Sequence, residues 1–465
     1  MVVHHSHTTS VQEKVNVAVA FLASDVNRFS INALTGAIEQ DSSLNVKLSF
    51  PHPRSASQCQ AEIEHLLRDV GPSGTVVVAF SFMSSALVTT SALLKQLQEG
   101  LKTVRHQVLF VAGGPHASGD AGGTLAMGFD LVFIGEGEHS FTEFLHRLME
   151  ERRDVQDIKG IAFFTKNGEG KRRVVRTGRS PLIELDARYP SIGIRHRRLG
   201  AIEIGRGCPH ACGFCQTPFL HGARMRHRAL DNVLEHIEQL VEFGFKDIRF
   251  TTPNALALAS DDGVHPDYGR LEEAFVSMHK VAGAAKIKFG EFPSEMRPEH
   301  ITPELAQLLD RYSDAVYIAI GAQSGSENML QGMHREHDVE AVERAVSYLA
   351  KYCGKLKKIY VDFIAGLPGE TPADEVLSKE LMERLTRVSP KVCIHSHTFM
   401  PLPGTPMQYM PPGSVGKTTR ATFEKLSKRG QEWGDWQEQE EIAHSITEFR
   451  RELNVEATPR HGSSS

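Results

Sequence analysis

The sequence predicts an α/β protein made of two successive domains, each built on parallel strands. Strand-like and helix-like runs alternate twice along the 465 residues, as they do in parallel sheets with right-handed crossovers. The composition, 40% hydrophobic and 23% charged, is that of an ordinary globular protein, and the length fits roughly two or three domains.

The first alternating pattern predicts a doubly wound, Rossmann-like domain over residues 15–152. Its strand-like runs are Val15–Leu22, Asn45–Phe50, Thr75–Phe80, Gln107–Val111 and Asp130–Ile134. The helix-like segments between them include Ala61–Val70, Ser85–Gln98 and Ser140–Glu150. Ligands of such sheets bind at the carboxyl ends of the strands.

Small residues follow the third, fourth and fifth of these strands. They are Ser81, then Gly113, Gly114 and Pro115, then Gly135 and Gly137. Such glycines let a ligand approach the backbone, and a hydroxyl at a helix start can bond phosphate or amide groups. Each turn taken alone is also what a tight strand-to-helix connection requires.

Residues 153–197 are predicted to connect the two domains through a hairpin. Gly160–Lys166 and Lys171–Arg176 flank Asn167-Gly168, which is a strong hairpin-turn signal.

The second pattern predicts six β/α units over residues 198–410. Its strand-like runs are Ala201–Ile204, Asp247–Thr251, Lys286–Phe289, Ala315–Ile320, Lys358–Ala365 and Lys391–Phe399. The helix-like runs include Leu230–Phe243, Leu271–Ala282, Pro303–Tyr312, Val339–Tyr352 and Ala373–Val388. A barrel of such units builds its site from the carboxyl ends of its strands.

Three cysteines directly after the first of these strands form the most informative motif. Cys208, Cys212 and Cys215 are spaced C-x-x-x-C-x-x-C. Three thiolates can hold three irons of a cubane cluster, and because such clusters normally take four cysteines, the fourth iron stays open. The alternatives are a zinc site with His210 as fourth ligand and three unrelated buried thiols.

The cysteine loop, with Gly213 and Phe214 in its second gap, resembles the signature of the radical S-adenosylmethionine (SAM) superfamily. The resemblance implies a partial (β/α)6 barrel of the TIM type, a 4Fe-4S cluster on the three cysteines, and SAM on the open iron. The SAM-binding residues that it implies are Phe214, Ser294, Glu295, Gln323, Ser324 and Gly366. Thr252-Pro253-Asn254 stands where many members carry a Gly-Gly-Glu run that bonds the SAM amine.

The first domain resembles the cobalamin-binding domain that precedes the barrel in one large class of radical SAM enzymes. The resemblance implies that Ser81, Gly113, Gly114, Pro115, Gly135 and Gly137 contact cobalamin. Cobalamin domains of the mutase type carry D-x-H-x-x-G, whose histidine ligates cobalt, whereas this chain has Ala23-Ser24-Asp25-Val26-Asn27-Arg28. Either cobalt has no protein imidazole, or the domain is a relic fold that binds no corrin. His116 either contacts the ligand or makes a local hydrogen bond.

The superfamily's reaction is reductive cleavage of SAM to a 5′-deoxyadenosyl radical, with electrons from an external donor such as flavodoxin or ferredoxin. With cobalamin, the resemblance implies methyl transfer to an unactivated carbon of a small-molecule substrate, with radical rearrangement or cyclisation as an alternative. A methylthiotransferase needs three further N-terminal cysteines, and the first domain offers only Cys59. The alternative of another class is a non-catalytic iron-sulfur or corrin sensor, which has no need of SAM.

Charge and hydropathy argue against two kinds of partner. A net charge of −5 gives no footprint for nucleic acid. No apolar run reaches about 18 residues, so we expect no membrane span. Scattered single cysteines and the lack of a signal peptide in Met1–Lys14 favour a cytoplasmic protein.

The remaining segments carry weaker expectations. Residues 1–14 and the tail Ala457–Ser465 are predicted to be disordered, and residues 411–465 to form a helical extension with that tail. Trp433 and Trp436, at i and i+3, should share one helix face against the barrel. His395 and His397 alternate along the sixth strand and should point to one face, as barrel-mouth residues or as satisfied core histidines.

Overall fold

The computed structural model describes residues 15–166, 168, 170–258 and 260–453. The predicted α/β class, with a doubly wound first domain, a six-unit partial barrel and a helical C-terminal region, is confirmed. The expected disorder of residues 1–14 and of Ala457–Ser465 lies outside the described residues.

The first domain contains a seven-stranded sheet in the order β2-β1-β3-β4-β5-β6-β7. Its strands are β1 (Val17–Phe21), β2 (Lys47–Ser49), β3 (Thr75–Ser81), β4 (Val108–Gly113), β5 (Leu131–Phe133), β6 (Ile161–Lys166) and β7 (Arg172–Arg176). The first five strands are parallel. In this order the chain reverses direction across the sheet between β1 and β3, where sheets of this class open a ligand crevice.

Helices cover both faces of this sheet. They are α1 (Arg28–Gln40), α2 (Ala56–Val70), α3 (Leu87–Gly100), α4 (Gly114–Gly119), α5 (Ala121–Ala126) and α6 (Glu138–Met149). Alternate residues of the buried strands enter two separate hydrophobic cores, one on each face: Val76 and Val78 belong to one core, and Val77 and Ala79 to the other. This is the near-continuous apolar pattern of a strand buried on both sides.

The predicted hairpin belongs physically to the first sheet. β6 pairs antiparallel with β5, and β7 pairs antiparallel with β6. Ile161 and Ala162 of β6 are fully buried in the cores of the first domain. The hairpin therefore extends the sheet at its edge, and residues 177–201 then lead to the barrel.

The barrel strands follow one another in chain order. The strands are β8 (Ile202–Glu203), β9 (Gly205–Arg206), β10 (Arg226–His227), β11 (Asp247–Thr251), β12 (Lys286–Lys288), β13 (Tyr317–Gln323), β14 (Lys358–Ala365) and β15 (Val392–Thr398). β8, β11 and β12 pair in parallel, as do β13, β14 and β15. A bridge between Met296 and Ile320 joins the two groups. β9 and β10 form a separate short antiparallel pair.

Helices surround the barrel strands and enclose one large core. The helices are α7 (Thr217–His221), α8 (Leu230–Glu242), α9 (Tyr268–Ala282), α10 (Pro303–Tyr312), α11 (Glu327–Gly332), α12 (Val339–Tyr352) and α13 (Pro372–Val388). Several begin where the sequence supplies a cap: the side chains of Thr302, Asp338 and Thr371 accept backbone N–H groups of α10, α12 and α13.

The C-terminal region differs from the single predicted helical segment. It contains α14 (Lys417–Ser427), a two-residue strand β16 (Glu432–Trp433) and α15 (Trp436–Glu452). β16 pairs with β15, so Trp433 lies in a strand and is 58% exposed, whereas Trp436 is buried. The expectation that the two tryptophans share one helix face was wrong, because pairing with β15 overrides the helical pattern.

Helix α15 contacts both domains. Trp436 at its start lies in the barrel core, and Ile446 lies in a core of the first domain. Arg450 Nε lies 3.1 Å from Asp120 Oδ2. Among the described residues, no helix has the length and apolar character needed to cross a bilayer.

Candidate functional site

The three motif cysteines lie on one loop that is held by backbone hydrogen bonds. Cys208 N donates to Gly222 O (3.1 Å), and Gly213 N donates to Met333 O (2.9 Å). None of the three forms a disulfide. Burial raises the pKa of Cys208 to about 11 and also raises the pKa of Cys215. Metal ligation requires the thiolate form of cysteine, which a bound metal stabilises.

A single zinc ion does not fit this loop. Among the described residues, no set of three metal-ligand atoms that includes these cysteines or His210 lies within 4.8 Å of one another. His210 Nδ1 is also hydrogen-bonded to the Glu336 carboxylate. Three thiols that do not converge on one point fit a cluster of several irons, with one thiolate on each of three irons.

Unpartnered polar groups follow β11 and β12, close to the cysteine loop. The backbones of Thr252 and Ser294 form an isolated parallel β-bridge, and Ala255 N donates to Glu295 O (2.8 Å). Ser294 Oγ and both side-chain polar atoms of Asn254 are buried without a hydrogen-bond partner. Buried polar atoms in native proteins are nearly always paired, so these atoms fit a bound polar ligand.

The Glu295 carboxylate lies near the cysteines and has no hydrogen-bond partner among the described side chains. Burial, together with the charge of Asp362, raises the pKa of Glu295 to about 7. Its charge in turn contributes to the raised pKa of Cys215. An amine donor from a ligand would satisfy this group.

Arg335, which the sequence analysis did not single out, also lies beside the cysteine loop. Its Nη1 is 3.5 Å from Cys212 Sγ, and its Nη2 donates to Gly321 O (2.8 Å). Its Nε is buried without a partner. A guanidinium with a free N–H beside the three motif cysteines fits an anionic group such as a carboxylate.

The other predicted SAM residues occupy different surroundings. Gln323 is buried and has a φ of 68°. Ser324 is buried, and its Oγ lies 3.3 Å from Ser378 Oγ of α13. Gly366 has a φ of 68°, and a Cβ there would lie 2.5 Å from Ser414 N. Phe214 packs against the hydrophobic cluster of Met329, Leu330, Met333, Leu367 and Phe399.

A cavity of about 430 Å³ lies between the two domains. Its lining contains every residue predicted to contact cobalamin: Ser81, Gly113, Gly114, Pro115, Gly135 and Gly137. Barrel residues Glu203, Arg206 and Thr251 line the same cavity. The structure thus brings the strand ends of both domains to one space.

The glycines of this cavity fit a broad flat ligand on the backbone. A Cβ at Gly113 would meet nothing closer than 3.8 Å, so the missing side chain leaves open space. Gly114 has a φ of 86°, and its Cβ would lie 2.8 Å from Ser81 Oγ. Gly114 is therefore required by the turn itself, whereas Gly113 leaves room for a ligand.

No histidine occupies the β1–α1 loop. Asn27 there donates to Leu22 O (2.8 Å) and Ser81 O (2.9 Å), which ties the ends of β1 and β3 together. His116 is buried, with Nδ1 2.8 Å from Ser84 Oγ and its ring stacked on Phe82. Burial lowers the pKa of His116 to about 4, and it serves the local structure.

A buried ionic network joins the two domains beside the cavity. Glu136 and Glu138 follow β5 in the first domain, and Arg206 and Arg226 belong to β9 and β10. Arg226 Nη1 lies 2.9 Å from Glu136 Oε2, and Arg206 Nη2 lies 2.7 Å from Glu138 Oε1 and 2.8 Å from Glu203 Oε2. The two glutamates that follow Gly135 and Gly137 in the sequence thus hold the domains together.

Two curated relatives are tRNA-modifying enzymes. A tRNA-2-methylthio-N(6)-dimethylallyladenosine synthase of Halorhodospira halophila is 29% identical over 49% of this chain and 46% of its own length. The threonylcarbamoyladenosine tRNA methylthiotransferase MtaB of Thermotoga maritima is 22% identical over 80% of this chain and 79% of its own length. The match thus spans less than half of the first relative.

Two solved structures share the fold. The radical SAM methyltransferase TsrM from Kitasatospora setae, with cobalamin and a [4Fe-4S] cluster bound, has a TM-score of 0.65 and 16% identity, over 84% of this chain and 74% of that chain. The cobalamin-dependent SAM radical enzyme OxsB has a TM-score of 0.62 and 12% identity, over 94% of this chain and 56% of that chain.

Family models match both domains. The B12 binding domain matches residues 15–145, and the radical SAM superfamily matches residues 202–381. The first range covers strands β1–β5 of the first sheet, and the second covers the cysteine loop and strands β8–β14. The chain therefore contains a B12-binding domain followed by a radical SAM superfamily domain, and its cofactors are a 4Fe-4S cluster, SAM and cobalamin.

Proposed function

We propose that this protein catalyses cobalamin-dependent methyl transfer to an unactivated carbon of a small-molecule substrate. The observation that carries the proposal is the shared cavity. Its wall combines the strand ends of the B12-binding domain, at Ser81 and Gly113, with the barrel residues Thr251 and Thr252. A methyl donor and a substrate radical must meet, and one space bounded by both domains supports that meeting.

The cofactors supply the reactive groups: the reduced cluster with SAM supplies a 5′-deoxyadenosyl radical, and cobalamin supplies a methyl group. The chain's own residues bind and orient them. Cys208, Cys212 and Cys215 would hold the cluster. Glu295 would accept from the SAM amine, and Arg335 would bond the SAM carboxylate, because each is a charged group with unmet hydrogen-bonding capacity beside the cysteines.

Five further residues complete the proposed SAM site. Gln323 is the last residue of β13 and Ser324 follows it, and Ser294 offers a buried hydroxyl without a partner. Gly366 lets the loop after β14 approach residues 413–414 closely. Phe214 lies beside Cys215 in an apolar cluster that would exclude water from the adenosyl group.

A methylthiotransferase activity, which the two curated relatives have, is disfavoured by the first domain. Such enzymes need three more cysteines for a second cluster, whereas the described part of this domain offers only Cys59. Cys59 is fully buried in a hydrophobic core, and its Sγ lies 3.2 Å from His52 O. It cannot reach the cavity.

We also propose a small molecule rather than tRNA as the substrate, in the cytoplasm and with flavodoxin or ferredoxin as the electron donor. A net charge of −5 gives little electrostatic attraction for a phosphate backbone. Anaerobic incubation with methyl-labelled SAM and either bulk tRNA or a small-molecule extract separates the two, because the label enters only the true substrate class.

The decisive experiment uses cluster-reconstituted protein supplied with hydroxocobalamin, reductant and SAM. We expect a reduced cubane signal in electron paramagnetic resonance that shifts with SAM, and a cob(II)alamin signal without nitrogen splitting. With substrate, methyl transfer yields S-adenosylhomocysteine together with 5′-deoxyadenosine. A SAM-sensitive cluster without bound corrin would overturn the proposal.

The remaining alternatives give different products in the same assay. Radical rearrangement or cyclisation yields 5′-deoxyadenosine and a product without the label. A non-catalytic sensor cleaves no SAM.

A further inference from the structure

Three ligand-type side chains converge on the face of the barrel strands that points away from the helices. They are Asp362 of β14 and His395 and His397 of β15, and Asp362 pairs in register with His395. Their strand neighbours Val361, Phe363 and Ile394 lie in the core between strands and helices. Because side chains alternate along a strand, the three residues face the barrel interior.

The three side chains approach one another closely. His395 Nδ1 lies 2.7 Å from Asp362 Oδ1, His397 Nε2 lies 3.2 Å from His395 Nδ1, and His397 Nε2 lies 4.0 Å from Asp362 Oδ1. A circle through three points with these separations has a radius of about 2.0 Å, so one point lies about 2.0 Å from all three atoms. Zinc takes nitrogen and oxygen ligands at about 2.0–2.2 Å.

Hydrogen bonds alone account poorly for this arrangement. Residues two apart on a strand are separated by about 6.6 Å along the backbone, so the two imidazoles must lean together to bring their nitrogens within 3.2 Å. His395 Nδ1 then faces both Asp362 and His397, and a single ring nitrogen has one proton or one lone pair to offer. A cation at the common point satisfies all three atoms.

We propose that Asp362, His395 and His397 bind a first-row divalent cation of the zinc class. Two imidazoles and one carboxylate form a typical ligand set for such ions. His395 and His397 side chains are 21% and 30% exposed, so an ion can reach them, while the Asp362 side chain is 7% exposed.

Charges around the site favour a cation. The Glu295 carboxylate lies near Asp362 and His395. Glu432 and Asp435, which come later in the sequence, place further negative charge near His395. Arg335 is the opposing cation, and it is already bonded to Gly321 O.

Gln439 contacts the ring nitrogen of His397 that faces away from the proposed ion. Its Oε1 accepts from Thr398 N (2.9 Å), which leaves its Nε2 3.4 Å from His397 Nδ1. A metal on His397 Nε2 leaves a proton on Nδ1, which needs an acceptor. Gln439→Glu would keep the acceptor for Thr398 N and supply a second one for His397, so it should tighten metal binding.

Three protein ligands leave coordination positions open to the barrel interior. If the proposed methyl transfer is correct, this ion would hold an oxygen or nitrogen donor of the substrate, such as a carboxylate or a hydroxyl. That assignment of substrate class depends on the proposed function, whereas the metal site does not.

The test measures zinc and iron in the same protein. Cluster-reconstituted protein is freed of loose metal, given one equivalent of zinc sulfate, desalted and analysed by mass spectrometry for both elements. We expect about one zinc per chain beside the cluster iron, loss of most zinc in His395→Ala, His397→Ala and the isosteric Asp362→Asn, and at least tenfold tighter binding in Gln439→Glu. His444→Ala, on the exposed face of α15, is the control and should keep its zinc.

The cysteine variant separates this inference from the proposed function. Replacing Cys208, Cys212 and Cys215 by Ala should remove iron and leave zinc in place. Zinc that leaves with the iron, or that survives in Asp362→Asn, His395→Ala and His397→Ala, would overturn the metal site. Iron that survives the cysteine replacement would overturn the cluster assignment instead.

Discussion

Arg226 donates to both carboxylate oxygens of Glu136 and so bonds the barrel to the loop after β5. The Glu136 side chain is fully buried, and Arg206 lies 3.5 Å from the same carboxylate. Burial alone raises the pKa of Glu136, but hydrogen bonds from His221 and Arg226 and the charge of Arg206 outweigh it and hold the pKa far below its ordinary value.

Glu136→Gln should lower the free energy of unfolding by about 3 kcal/mol at pH 7, because it leaves buried arginines without their counter-charge. Since the folded pKa is depressed, the stabilisation is present above pH of about 4.3 and is lost as the pH falls further. Denaturant titrations of both proteins at pH 7 and pH 4 measure this difference, which should shrink at the lower pH. Glu150→Gln, at an exposed glutamate, is the control. Equal stability of the two variants would contradict the buried role of Glu136.

Replacing Cys208, Cys212 and Cys215 by Ala should abolish both the cluster absorption and the formation of 5′-deoxyadenosine. Cys59→Ala is the matched control, because Cys59 lies in the core of the first domain. Absorption spectra and chromatography of the SAM products check both statements. If the triple variant still forms 5′-deoxyadenosine, the cysteine loop does not hold the cluster.

Gly113→Leu should weaken cobalamin binding at least tenfold and leave the cluster intact. The backbone accepts a side chain there without a close contact, so the leucine projects into the cavity that a corrin would fill. Gly114 is a poor test site, since its positive φ would strain any replacement. Equilibrium dialysis with hydroxocobalamin measures the affinity.

Gly269→Leu at the start of α9 provides the control for that substitution, since its Cβ would meet nothing closer than 3.5 Å. Unchanged cobalamin binding in Gly113→Leu would mean that the corrin, if bound, lies elsewhere.

SAM affinity should depend on the ionisation of Glu295. Burial and Asp362 raise the pKa of this carboxyl to about 7, and only its charged form accepts a hydrogen bond from the SAM amine. The dissociation constant should therefore rise up to about tenfold per pH unit below pH 7. Titrations of cluster-loaded protein with SAM between pH 6 and pH 8 measure it.

Glu295→Gln removes this ionisation while keeping an acceptor oxygen. Any pH dependence that remains in the variant comes from SAM itself or from other groups. Identical slopes for the two proteins would exclude Glu295 as the amine partner.

Local patterns predicted most of the fold. The strands of both domains stand out as apolar runs such as Thr75–Phe80, because parallel strands buried on both faces lack polar positions. The cavity-lining glycines were predictable for the same reason, because they directly follow strands that the apolar runs of the sequence identify. Trp433 was misplaced because a two-residue strand depends entirely on its partner β15.

Contacts between distant segments could not be predicted. Glu136 and Arg226 are 90 residues apart, and nothing near either residue indicates the pairing. Arg335 lies on an irregular loop after α11 and reaches Cys212 only in the folded barrel. Asn254 was within the segment noted for its departure from the Gly-Gly-Glu run, but its burial without partners is visible only in three dimensions.

Helix α15 has a consequence for the biosynthesis of the protein. Arg450 bonds to Asp120, 330 residues earlier in the chain, and Ile446 completes a core of the first domain. Ribosomes add about 5–20 residues per second, so this partner emerges many seconds after the first domain can begin to fold. Until then the apolar surface that α15 covers stays exposed on the nascent chain. Truncated or stalled chains that lack α15 are therefore natural clients for chaperones.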